Sequence, residues 1–314
     1  MRIGANLITN DTTISILDVA PRVEAAGLDC IFQGEHSHIP VDTVFPMFEG
    51  EVPDFYKRFP DLFVTMAAAA ALTTTLRLGT GVVLVAEHQP LRLAKAVASL
   101  DALSGGRVDF GVGYGWNGPE MANNGVDPAK RGDVFHENLR VIRDLWSDDV
   151  VGHDGEYSSF TPSWSLPKPV QRAARPGPPI LIGAAATKRT FRHVLELADG
   201  WYPLTGPTLL EDAARLRAAA AEQGRTVEVS VCEMAGQMAG VPWYCDEPAA
   251  RQGITELVQR YADGGIDRIV IGVPVDSVGH LEDALAVLAE LVPTARRDSD
   301  TPAGDRSPAS SVRG

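Results

Sequence analysis

The sequence predicts an α/β fold, a (β/α)8 barrel of the TIM type with loops inserted at its C-terminal face. Three observations carry the prediction. Short apolar, β-branched runs alternate with segments of helical spacing along the chain. The alternation yields eight strand candidates, each followed by a helix candidate, and eight such units favour a closed barrel. Glycines gather just after several of the strands, at the ends where such barrels hold their ligands. An open doubly wound sheet is the competing architecture, but no Gly-x-Gly-x-x-Gly follows the first strand candidate.

The first strand is expected over 2–8. Residues 14–26 have helical spacing (Ile14, Leu17, Val19, Val23) and stop at Gly27. A second strand, 30–35, runs into Glu35-His36-Ser37-His38. Residues 39–60 hold four prolines (Pro40, Pro46, Pro53, Pro60) and the aromatics Phe45, Phe48, Phe55, Tyr56 and Phe59. That composition predicts a long loop, of the kind that usually serves as a lid or binding wall. A helix follows over 61–74 with Asp61 at its N-cap.

The stretch from 76 to 118 organises the rest. Residues 76–84 are apolar and too short for a helix, Pro90 opens a helix over 91–103, and Gly105-Gly106 ends it. Residues 107–113 form the next strand and leave it through a glycine-rich loop. Two strands joined by a helix are parallel neighbours with a right-handed crossover. Burial on both faces explains why neither strand alternates with polar residues.

Beyond it, 130–147 is an amphipathic helix and 149–160 a hairpin with Asp154-Gly155 at its turn. The proline-rich 161–179 reads as an inserted loop. Strands over 179–183, 199–203, 227–234 and 267–273 then alternate with helices over 187–198, 207–223, 247–262 and 278–291. One barrel domain, 1–295, and a disordered polar tail, 296–314, result. Arg131 with Glu137, and Asp101 with Arg107, read as structural pairs.

Composition narrows the function. A formal net charge of -13 argues against a nucleic-acid surface. Cys30, Cys232 and Cys245 show no metal-ligand spacing, so no metal is expected, and an odd count suits a reducing cytoplasm. Cys30 and Cys232 read as small buried apolar residues. No apolar run reaches the ~18 residues of a membrane helix, and Met1-Arg2-Ile3-Gly4 passes straight into a strand with no signal peptide. A cytoplasmic enzyme acting on a small molecule is the expectation.

The strand ends then carry a resemblance. Glu35-His36, Leu78-Gly79-Thr80-Gly81-Val82, Pro90-Leu91-Arg92-Leu93-Ala94-Lys95 and Leu100-Asp101-Ala102-Leu103-Ser104-Gly105-Gly106-Arg107 follow one another in order. So do Gly111-Val112-Gly113-Tyr114-Gly115-Trp116, Arg131-Gly132, Pro179-Ile180-Leu181-Ile182-Gly183 and Asp199-Gly200-Trp201-Tyr202-Pro203. As a set over about residues 1–205 they resemble the luciferase-like monooxygenase superfamily, and within it the branch that uses the deazaflavin coenzyme F420. The resemblance implies hydride transfer at the barrel's C-terminal mouth, often in secondary metabolism, and usually a homodimer. Relatives that carry FMN instead use reduced flavin and oxygen. A barrel without a cofactor is the rival from another class, and His36 with the glycine-rich rims argues against it. In one place the chain departs from the family, which commonly has a second glycine after the one matching Gly183, where this chain has Ala184-Ala185-Ala186.

The resemblance implies site roles residue by residue. Gly81-Val82 matches a non-proline cis peptide behind the coenzyme ring. His36 would handle the proton that accompanies hydride movement, with Glu35 as a second catalytic candidate. Asn6, Gly113, Tyr114 and Gly115 would contact the ring and the start of its side chain. Gly183, Ala184, Ala185 and Thr187 precede a helix, whose start attracts a phosphate. Lys188 and Arg189 in that first turn fit an anion beside them. His38 and Trp116 would meet the substrate.

Overall fold

The computed structural model describes residues 1–44, 52–234, 237 and 242–292. Its centre is a closed parallel barrel with helices on the outside, as expected. The strands are β1 (Arg2–Leu7), β2 (Cys30–Gln33), β3 (Arg77–Thr80), β4 (Val83–Leu84), β5 (Val108–Gly113), β8 (Ile180–Ile182), β9 (Gly200–Trp201), β10 (Glu228–Glu233) and β11 (Arg268–Gly272). They hydrogen-bond in the order β3-β2-β1-β11-β10-β9-β8-β5-β4, with β3 also on β5. β3 and β4 are two halves of one stave: Leu78 lies opposite Val108 and Val83 opposite Val112. The nine strands therefore make eight staves.

The helices are α1 (Ile16–Ala25), α2 (Leu62–Leu72), α3 (Pro90–Ser104), α4 (Gly118–Asn123), α5 (Arg131–Ser147), α6 (Lys188–Leu197), α7 (Leu209–Glu222), α8 (Pro248–Asp263) and α9 (Val278–Leu291). Their starts follow side-chain chemistry. Asp61 accepts from the Val64 N–H at 2.9 Å and Gln89 from the Arg92 N–H at 2.9 Å. α3 ends where Gly105 takes φ 68°, a left-handed value that glycine adopts without a Cβ clash. None of these helices is long and apolar enough to cross a membrane.

Alternation along the staves sorts residues into two cores. Odd positions of β1 (Ile3, Ala5, Leu7) and even positions of β5 (Phe110, Val112) face the helices and join the large outer core. Cys30, Phe32, Leu181, Tyr202, Cys232 and Val270 form a separate cluster inside the barrel. Cys30 and Cys232 are thus buried and apolar in role, as expected. Phe32 fills the interior because its neighbour is bare: a Cβ on Gly79 would sit 2.2 Å from the Phe32 ring. Burying such a ring contributes about 1.5–3 kcal/mol.

Beneath that apolar layer the barrel floor is charged. Asp109 and Arg268 are each about 1% exposed and bond directly to each other. Arg77 Nε donates to Asp109 at 3.0 Å, and Arg268 also bonds Glu228 at 2.6 Å and Ser230 at 3.1 Å. Burial opposes ionisation of Asp109, but the Arg268 and Arg77 guanidiniums win and hold its pKa well below the carboxylate range.

The structure corrects several expectations. The hairpin pairs β6 (Val150–Asp154) with β7 (Ser159–Trp164), so residues 161–164 extend a strand instead of starting a loop. Its turn is the four residues 155–158. Glu137 holds that turn by accepting from the N–H groups of Glu156, Tyr157 and Ser158 at 3.0, 3.0 and 2.8 Å, while Arg131 bonds the Pro128 carbonyl. Asp101 accepts from the Gln171 backbone at 3.0 Å and side chain at 2.8 Å, whereas Arg107 donates to carbonyls at Ala70, Thr73, Leu76 and Ser104. Each of these residues braces a turn with partners other than the one expected. Within 39–60, Asp54–Arg58 forms a 3-10 turn, while Phe45, Pro46 and Phe48 lie outside the described residues, as does the 296–314 tail.

Candidate active site

A cavity of about 550 Å³ opens at the C-terminal mouth of the barrel. Its walls come from the ends of most staves: Asn6 near the end of β1, Gly34 to His36 after β2, Gly81 and Val82 at the break between β3 and β4, and Leu84 in β4. Gly183 to Ala186, Trp201 to Leu209, Cys232 and Met234 complete the ring of rims. Tyr56, Phe59 and Trp116 close it from above the β2 side. A larger hollow of about 680 Å³ lies on the flank between α5, the hairpin and α6. Charged, partly ion-paired side chains line it, and none of the sequence-predicted site residues does.

His36 is the titratable group most firmly set in the mouth. Its ring is buried, with 7% of the side chain exposed. The Trp116 indole N–H donates to His36 Nε2 at 3.3 Å. That makes Nε2 an acceptor and puts the ring proton on Nδ1, which points to Glu120 Oε2 at 2.7 Å. Glu120 has no exposed surface, and its other oxygen accepts from the Ser37 N–H at 2.9 Å. Tyr56, Phe59 and Trp116 surround the imidazole with ring centroids 5.5 Å away. The result is an oriented histidine in an aromatic box at the cavity wall, held at Nδ1 by Glu120 and at Nε2 by Trp116.

Glu35 lines the cavity but is occupied. It accepts from the Leu84 N–H and from His88 Nε2, both at 2.9 Å. It ties the β4 half-stave to the end of β2, which is a positioning role. Beside it, Glu87 has one oxygen bonded to Asn124 at 2.8 Å and the other buried with no partner among the described residues. Burial, and then the neighbouring Glu120 charge, push the Glu87 carboxyl up to about 7.

The peptide between Gly81 and Val82 is cis, as the resemblance implies, and both residues face the cavity. Val82 is seated between two other staves. A Cβ on Gly113 would lie 2.5 Å from Val82 Cγ2, and one on Gly183 would lie 2.5 Å from Val82 Cγ1. Those glycines are there to let the Val82 side chain in.

The remaining expectations divide. Asn6, Gly183, Ala184, Ala185 and Trp116 line the mouth. Asn6 is engaged with Gln237: its Nδ2 donates at 2.9 Å, and Gln237 Nε2 donates back to the Asn6 carbonyl at 3.0 Å. Gly113 is shielded by Val82 and reaches no cavity surface. Tyr114 does not line the mouth either. It shares the parity of Phe110 and Val112, faces the helices, and bonds His193 at 2.9 Å with its ring 4.4 Å from Phe135. Gly115 (φ 76°) turns the chain away beneath Met121. Thr187 is spent as the N-cap of α6, accepting from the Thr190 N–H at 3.0 Å. His38 is exposed and bonds Ser37 and Asn123 at 2.9 Å, outside the cavity. Lys188 and Arg189 are exposed and do not line it.

Sequence reasoning missed Glu120, Gln237 and the helix that carries Glu120. Asn117-Gly118-Pro119-Glu120 is a helix-start signal, with proline just inside the first turn. It was legible as α4, but nothing local ties that helix to His36.

The mouth fits a flat ring with a phosphate-bearing tail. Its walls are largely apolar, backbone is bare at Gly34, Gly81 and Gly183, and the buried Tyr202 hydroxyl has no oxygen or nitrogen partner among the described residues. The small residues 183–186 lead into the start of α6, whose first N–H groups lack intrahelical partners. The alanines 184–186 keep their backbone N–H groups.

Comparison with known proteins bears on the fold that carries this mouth. The sequence pattern of a family described as luciferase-like monooxygenase matches residues 2–251. An uncharacterized protein of Mycobacterium tuberculosis is 42% identical over 205 residues, covering 64% of this chain and 71% of its own length. The oxygenating constituent of 3,6-diketocamphane monooxygenase from Pseudomonas putida, solved with FMN, superposes with a TM-score of 0.72 at 15% identity, covering 93% of this chain and 97% of that one. An F420-dependent secondary alcohol dehydrogenase, solved with an F420-acetone adduct, gives 0.68 at 18% identity over 93% and 98%.

Proposed function

The chain belongs to the luciferase-like monooxygenase family, and on that premise we propose that it is an oxidoreductase that transfers a hydride between coenzyme F420 and a small organic substrate. The observation that carries this reading is His36 in the lining of the mouth, its Nδ1 anchored on Glu120 and its Nε2 accepting from the Trp116 indole. A hydride moved to or from a carbon bearing oxygen requires a proton to move on that oxygen. The deazaflavin, when bound, supplies the hydride-carrying carbon. His36 Nε2 takes the substrate proton in exchange for its bond from the Trp116 indole, and returns it in the reverse direction, while the Glu120 carboxylate stabilises the imidazolium that forms. Trp116, Tyr56 and Phe59 exclude water from the imidazole and shape the substrate space.

Gly81, Val82, Gly183 and Ala184 would bear the ring, with Tyr202 beside them in the wall. The α6 start would hold the phosphate, with Lys188 and Arg189 at hand for an acidic tail. The related folds solved with F420 and with FMN leave both coenzymes open to this mouth, and the His36 arrangement favours the first. Fluorescence titration of the purified chain with each coenzyme tests the choice. We expect saturable F420 binding and turnover of a secondary alcohol or ketone that fails in His36→Ala. Tight FMN binding without response to F420 would make the chain a flavin monooxygenase, and silence with both would end the redox reading.

A further inference from the structure

We propose that the chain carries a zinc site away from the mouth, built from Cys245 Sγ, an Asp246 carboxylate oxygen and His280 Nε2. The ligand atoms of these three residues lie within 4.8 Å of one another. They come from two places at the C-terminal rim: the turn before α8 and the first turn of α9. None of the three lines the mouth cavity.

The detailed geometry is that of a ligand set. Asp246 Oδ1 is 3.0 Å from His280 Nε2 and 3.9 Å from Cys245 Sγ. In a tetrahedral zinc site with ordinary bond lengths, adjacent N, O and S ligands stand roughly 3.3–3.8 Å apart. The two distances that Asp246 makes are therefore within a few tenths of an ångström of those values, and Cys245 Sγ and His280 Nε2, no more than 4.8 Å apart, need to close by about 1 Å at most. The other Asp246 oxygen is already used, accepting from the Trp243 N–H at 3.1 Å, which fixes the turn and leaves Oδ1 aimed at the histidine. The far side of the imidazole is held as well: His280 Nδ1 meets Asp276 Oδ1 at 2.8 Å. A carboxylate on the distal nitrogen of a metal-binding histidine sets its tautomer and raises its basicity.

The donor set selects the metal. Sulfur with nitrogen suits zinc, and one carboxylate with one thiolate neutralises its charge; magnesium and calcium prefer oxygen alone. The thiol proton leaves to solvent as the metal binds. Three protein ligands leave the fourth position to water. The competing account is a protonated His280 bridging two aspartates with no metal, in which Cys245 has no part. The proposed site would pin the turn leading into α8 to the start of α9.

Adding Co²⁺ or Zn²⁺ alone to the full-length, chelator-treated protein tests this. Cys30 and Cys232 are buried inside the barrel, so a cobalt–thiolate charge-transfer band in the near ultraviolet reports Cys245. We expect one equivalent of metal, that band, and a zinc-dependent rise in melting temperature. Cys245→Ser should abolish the band, His280→Ala should weaken zinc at least about tenfold, and Asp276→Asn by about tenfold. Circular dichroism of each variant confirms that it is folded. No stoichiometric uptake, or uptake indifferent to Cys245→Ser and His280→Ala, would overturn the proposal.

Discussion

Glu120 Oε2 lies 2.7 Å from His36 Nδ1, although 84 residues separate them in the chain. The carboxylate has no exposed surface and the imidazole very little. Such a pair fixes which nitrogen carries the proton, and so which face of the ring can do acid–base work. Glu120→Gln keeps the shape and can still accept from Nδ1, but it withdraws the charge that steadies an imidazolium. Turnover should fall about 100-fold while coenzyme binding is unchanged. His36→Ala should cost at least as much, and the double variant little more than His36→Ala alone, as expected of residues acting as a unit. Additive losses would show that Glu120 acts through something else.

Glu87 should make stability fall with rising pH. Its folded pKa, about 7, exceeds the ordinary value of 4.5. The folded protein therefore holds this proton more tightly than the unfolded chain. The resulting stabilisation is full below pH 4.5, declines between 4.5 and 7, and is lost above. Glu87→Gln stays neutral throughout. Its melting temperature relative to the parent should rise across that window and level off above pH 7. A difference independent of pH would sink the assignment.

The buried floor predicts a large stability loss without a change in the mouth. Asp109→Ala leaves the Arg268 guanidinium about 1% exposed and without its main carboxylate. Removing one partner of such a pair costs about 3–5 kcal/mol. Denaturant unfolding measures it, and a loss below about 1 kcal/mol would show that Arg77 and Glu228 reorganise to compensate.

Val82 and Gly113 should be coupled. A methyl at 113 meets Val82 Cγ2 at 2.5 Å, so Gly113→Ala overpacks the joint and costs about 1–3 kcal/mol. It should also weaken coenzyme binding, because the displaced residue is the proposed rear wall. Val82→Ala makes room for the new methyl, and the double variant should recover part of the loss. No recovery would place the clash elsewhere.

The barrel was legible because its signals are periodic and local. Each apolar run, each Asp61- or Pro90-type helix start and each Gly105-type stop acts within one element. The mouth was only half legible. His36, Gly81 and Gly183 mark themselves as polar or bare residues at strand ends. Tyr114 misled because one residue of parity decides whether a side chain meets the ligand or the helix layer. Val112 and Phe110, two and four residues earlier, already carried that parity. His38 failed for a similar reason: two residues past His36, the chain has turned outward to Asn123. Glu120 and Gln237 could not be read, since their roles rest on contacts 84 and 231 residues away in sequence.

Strand β1 pairs on one side with β11, Arg2 opposite Arg268 through Asn6 opposite Gly272. The first stave synthesised thus waits for the last before its edge is satisfied. Until then the hoop is open and Asn6 lacks Gly272, its neighbour across that seam. A growing chain halted at α8 would leave that seam open, so the mouth that we propose as a coenzyme seat takes shape only once β11 has closed the hoop.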